Sequence, residues 1–183
     1  DGTSRLDVVD DDTIQNGALT PLGGPGAGNG NFTSGEVYAI DKTPPAASSI
    51  VRAGADPTNA ASVDVTVTFS ANVSGVDAGD FALTTTGGVA GASVTGVAGG
   101  PSVYTVSVNT GTGDGTIRLD VVDNDSIVDS ASNPLGGAGA GNGNFATGQV
   151  YTVDKTQPTV AIYQAGGQAD PTNGSPINFT AVF

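Results

Sequence analysis

The chain has 183 residues with 17 Asp and one Glu (Glu36) against 5 Lys plus Arg, a formal charge of −13, and no Cys, His, Met or Trp. Without a thiolate or an imidazole, the usual nitrogen and sulfur sites for zinc, copper and iron are excluded, as is Ser-His-Asp or Cys-His catalysis. With basic side chains this scarce, neither a nucleic-acid backbone nor an anionic lipid surface finds an electrostatic partner, and Asp in place of Glu writes turns rather than helices.

No run approaches the roughly 18 apolar residues of a membrane span, and no basic-then-apolar signal region opens the chain. The expectation is therefore no membrane insertion in this window.

The first 45 residues, DGTSRLDVVDDDTIQNGALTPLGGPGAGNGNFTSGEVYAIDKTPP, recur without a gap from Asp114 to Pro158. The period is 113, and 30 of the 45 pairs are identical. GADPTN (Gly54 to Asn59) returns as QADPTN (Gln168 to Asn173), one residue later. A period of this length suits an independent domain rather than a solenoid turn. Proline after DKT closes a strand and sets an extended linker. The expected organisation is 1–43 as the end of one repeat, 44–157 as a complete repeat, and 158–183 as the start of the next.

Within 44–157, short alternating runs separated by turn clusters read as seven strands. Strand A is expected at Ser48 to Ala53. Strand B, SVDVTVTFS, is the clearest, with Val63, Val65, Val67 and Phe69 on one face and Asp64, Thr66 and Thr68 on the other. Strand C, DFALTT, turns Phe81 and Leu83 inward, and strand D lies around Ser93 to Val97. Strand E turns Tyr104, Val106 and Val108 inward. Strand F, GTIRLDVV, turns Ile117, Leu119 and Val121 inward and Arg118 and Asp120 outward. A long loop, Asp123 to Thr147, precedes strand G, QVYTVD, with Tyr151 and Val153 inward. Seven strands with one apolar face each predict an all-β fold of two packed antiparallel sheets. Residues 158–183 repeat strands A and B.

The run from Val65 to Leu83, Tyr104 to Val108, DGTIRLDVV and DSASNPLGG together resemble the bacterial immunoglobulin-like tandem repeats of large extracellular adhesins. The resemblance covers the whole period, with Ser132-Asn133-Pro134 where that family often has D-x-x-G-N-P. It implies an immunoglobulin-like β-sandwich on a bacterial cell surface, a spacer or filament unit often rigidified by calcium, and no enzymatic activity.

That strand order would sort the acids by pole. Asp77 and Asp80, with Asp123, Asp125 and Asp129, fall where the domain is entered, and Asp41 of the linker joins them. Only Lys42 offsets these six. Asp56, Asp114 and Asp154 form a weaker set at the exit pole. Crowded carboxylates repel unless a cation screens them, and calcium, taking 6 to 8 oxygens, is the expected ligand. The competing account is that Asp and Asn populate these loops as Asx-turns.

The Gly-rich segment Pro134 to Phe145, twin of Pro21 to Phe32, has no strand-to-helix context for a dinucleotide and reads as a compact or mobile loop. Paired carboxylates lack an aromatic platform or a cleft, so glycoside hydrolysis is not expected. Asn31, Asn72, Asn124 and Asn178 head N-x-S/T sequons, and the two DPT segments read as turns.

The leading expectation is thus a stalk, spacer or filament unit whose partners are neighbouring repeats or copies of the same chain. The alternative is a module that holds a glycan or a host or cell-surface protein through the loops between strands B and C and between F and G. Both ends fall inside a repeat, which reads as a fragment of a longer array.

Overall fold

Alternation of β-branched with polar residues dictates strands. The computed structural model, which describes residues 1–183, is accordingly all-β apart from one 3-10 turn. The chain opens with β1 (Gly2–Arg5) and β2 (Val37–Ile40), antiparallel with Gly2 opposite Ile40. The complete repeat follows as β3 (Ala47–Arg52), β4 (Ser62–Phe69), β5 (Val73–Ser74), the turn Ala78–Asp80, β6 (Phe81–Gly87) and β7 (Ser93–Gly99). It continues with β8 (Val103–Asn109), β9 (Gly115–Val121), β10 (Val128–Asp129) and β11 (Val150–Val153). A last hairpin joins β12 (Ala161–Gln164) to β13 (Phe179–Val182).

Two sheets carry the repeat, one in the order β3-β4-β8-β7 and one in the order β11-β9-β6, with every named pairing antiparallel. Their apolar faces form one cluster of 17 buried residues. Val63, Val65, Val67 and Phe69 of β4 lie in it with Tyr104, Val106 and Val108 of β8, and opposite them are Ile117, Leu119 and Val121 of β9 and Tyr151 and Val153 of β11. Each such side chain contributes about 1.5–3 kcal/mol by leaving water, which is how a core without cysteine or tryptophan holds. Phe69 and Tyr104 meet edge to face at 5.8 Å, and the Tyr104 hydroxyl donates to the Val73 carbonyl.

The seven expected strands are all present, with ends shifted by one or two residues. Three features differ from expectation. Asp120, on the outward face as expected, is nonetheless buried there, because Arg118 folds over it at 2.6 Å and Thr84 donates to its other oxygen at 2.6 Å. The segment expected as one long loop after β9 contains β10, which pairs with β5 to close that end of the sandwich. Ile127 and Leu135, inside the same segment, are core residues at 1% and 0% exposure.

Candidate functional site: the loop cassette and the inter-repeat joint

The segment between β9 and β11 is ordered by its own polar groups. Asp123 leaves the end of β9 nearly buried, and its Oδ1 accepts the Asp125 N–H at 3.1 Å while Oδ2 accepts the Gly143 N–H at 3.1 Å. Its main-chain N–H donates to Asn144 Oδ1 at 2.7 Å and its carbonyl accepts from Gly141 N–H at 3.0 Å. The Asn142 amide donates to the carbonyls of Gly137 and Ala138. Gly136 is required where it stands: its φ is +71°, and a Cβ there would lie 2.5 Å from Gly143 N. Leu135 pins the loop to the core. The Gly-rich segment is therefore a folded cassette.

The same set recurs in the first copy. Asp10 accepts from Asp12 and Gly30, its N–H donates to Asn31 Oδ1, and its carbonyl accepts from Gly28. Asn29 donates to the carbonyls of Gly24 and Pro25. Gly26 N–H reaches both oxygens of Asp12, whereas its twin Gly139 reaches Oδ2 of Asp125 alone, leaving buried Oδ1 without a partner.

The sequence-predicted metal residues are brought to several places. Asp77 caps the 3-10 turn through Gly79 N–H, and its own N–H donates to Asp80 Oδ2. Asp80, at 1% exposure, takes Ser126 Oγ–H at 2.7 Å on its other oxygen, so the loop before β6 meets the cassette there. Asp129 accepts from Ala131 N–H, Asn133 N–H and the Asn133 amide. Asp41 accepts from Thr43 N–H. Asp1, Asp41 and Asp129 line one cavity of about 480 Å³ with Thr43, Pro44 and Asn72.

The second set gathers at the exit pole, each acid on its own donors. Asp56 takes Thr152 N–H at 2.6 Å and pairs with Arg52 at 3.2 Å. Asp154 accepts from Thr156 N–H. Asp114 accepts Lys155 N–H at 2.5 Å and the Thr156 hydroxyl, and the Lys155 ammonium reaches the Ala60 carbonyl at 3.0 Å and Thr110 Oγ at 2.9 Å. The first copy repeats the clip: Asp1 accepts Lys42 N–H at 2.7 Å and the Thr43 hydroxyl at 2.5 Å.

Across the joint, the Asn133 amide donates to the Asp41 carbonyl at 3.2 Å. Pro45 is buried and its carbonyl accepts Gly136 N–H at 2.8 Å, while Ala46 and Ser70 exchange two hydrogen bonds. Sequence reasoning missed Asn133, whose only signal was its place beside a turn proline.

Electrostatics follow these contacts. The Thr156 hydroxyl and the Lys155 N–H hold the Asp114 carboxyl below the usual range. Asn133, through its amide and its N–H, does the same for Asp129. Burial raises Asp120, and hydrogen bonds from Arg118 and Thr84 with the Arg118 charge outweigh it, for a net lowering.

Neither a family model, nor a curated protein, nor a solved structure matches the chain.

Proposed function

We propose that the chain is part of a tandem array of immunoglobulin-like repeats in a bacterial extracellular or surface protein, acting as a stalk, spacer or filament segment. The sheet orders β3-β4-β8-β7 and β11-β9-β6 support the fold half of this reading, since they correspond to the ABED and CFG sheets of a seven-stranded immunoglobulin-like sandwich.

One observation carries the functional half. Residues that could reach a ligand, Asp10, Asp12 and Asn29 in one copy and Asp123, Asp125 and Asn142 in the other, spend their polar groups on corresponding internal partners, Asp125 Oδ1 excepted. A loop whose donors and acceptors are turned on itself is built for shape. A spacer needs many copies of one rigid module, and near-identical neighbours supply them.

A glycan array probed with the full chain tests this. The expected result is no saturable binding. Saturable binding that Asp125→Ala abolishes would overturn the spacer reading in favour of a ligand-binding module.

A further inference from the structure

We propose that Asn133 is the receiving element of an inter-repeat clasp, and that its partner is the Asp-Lys-Thr linker of the preceding repeat. The inference rests on the tandem-array reading and adds to it the surface by which one repeat orients the next.

Six residues, Asp41 to Ala46, separate β2 from β3. A free linker of that length has a root-mean-square span of about 13 Å and fixes no orientation. Here each end is tied. On the exit side, Asp1 takes Lys42 N–H and the Thr43 hydroxyl. On the entry side, the Asn133 amide takes the Asp41 carbonyl, Gly136 N–H takes the Pro45 carbonyl, and Ser70 exchanges two bonds with Ala46. Pro44 and Pro45 remove φ freedom from what remains.

Asn133 is singled out because it alone bridges the two repeats by a side chain of the entry pole. Asp129 aims it, accepting from the amide Nδ2 at 3.0 Å and from the main-chain N–H at 2.9 Å. The first copy has Asn16 and Thr20 at these places. There the turn is kept, since Asn16 Oδ1 accepts from Ala18 and Thr20 N–H as Asp129 Oδ1 accepts from Ala131 and Asn133 N–H. The amide is not kept. The turn does not need the amide, and the pair Asn16 and Thr20 is a sequence that keeps the turn and lacks the amide.

The test uses the full chain, whose lack of cysteine allows spin labels without background. Labels at Ala39→Cys with Ala98→Cys span the joint, and both positions are exposed. The expected result is a narrow distance distribution in the parent chain, which Asp129→Asn with Asn133→Thr broadens at least about two-fold toward that of an unrestrained linker. Retained protection of the Leu135 N–H, bonded to Ile127 in the complete repeat as Leu22 is to Ile14 in the first copy, reports that the loop still folds. A parent distribution already as broad as that of an unrestrained linker, which needs no variant, would overturn the clasp, as would a width unmoved by the double substitution. Glycan binding tests the spacer reading separately, so either can fail alone.

Discussion

The Tyr151 hydroxyl donates to the Asp64 carbonyl at 2.9 Å and so ties the edge strand β11 of one sheet to β4 of the other. It also accepts the Gly54 N–H at 2.9 Å, where the chain turns after β3. Both groups lie at the rim of the core, with Tyr151 itself at 2% exposure. Tyr151→Phe keeps the ring and removes both bonds, at about 0.5–1.5 kcal/mol each. Thermal unfolding of the variant should begin several degrees lower, at about 4 °C per kcal/mol for a domain near this size. Tyr38, the twin in the first copy, is 74% exposed, so Tyr38→Phe should leave the transition where it is.

Leu135 gives the cassette its purchase on the core. Leu135→Ala removes a fully buried side chain and should cost about 2–5 kcal/mol, the range for a truncated core leucine. The twin Leu22 is 38% exposed, and Leu22→Ala should cost distinctly less. Urea denaturation followed by tyrosine fluorescence measures both. Equal losses would show that the cassette draws no stability from the complete sandwich.

Much of this was legible in the sequence. Strand β4 alternates Val63, Val65, Val67 and Phe69 with polar residues, and period two has one meaning on a half-buried sheet. The recurrence of the first 45 residues from Asp114 gives the period of 113 directly. The core role of Ile127 and Leu135 was not legible, because each is an isolated apolar residue among turn formers and no periodicity marks it. The burial of Asp120 was not legible for a related reason. Alternation places it outward, and only the return of Arg118 across it, with Thr84 from the neighbouring strand, buries it. As for the acids, the strand order implied by the resemblance gathered six at one pole, and in the folded loops each accepts N–H groups of its own neighbourhood.

Acid should unfold the protein by way of those acceptors. Asp114, Asp120 and Asp129 have folded-state pKa values below the ordinary aspartate value, so the unfolded chain binds the proton more readily. Their contribution is complete above the unfolded value of about 3.9 and is lost as pH falls through the lower folded values. Stability should therefore be flat from neutral pH to about pH 5 and decline below about pH 4. Asp120→Asn should flatten part of that decline. A midpoint that fell between pH 7 and pH 5 instead would contradict the assignment to carboxylates.

Metal removal separates the two accounts of the acid-rich loops. Asp123 accepts Asp125 and Gly143 N–H groups and Asp80 accepts Asp77 N–H and the Ser126 hydroxyl, so both loops have their internal acceptors in place from protein groups alone. Chelation should accordingly leave the unfolding midpoint unchanged, and millimolar calcium should raise it only as far as the ion binds the folded state. Asp123→Ala, by contrast, leaves two N–H donors without their acceptor in a part-buried site, at about 1–3 kcal/mol for each that stays dry. Asp123→Asn keeps one acceptor oxygen and should lose less. A chelator that lowered the midpoint as far as Asp123→Ala does would show that these carboxylates hold an ion and that the N–H contacts are its second choice.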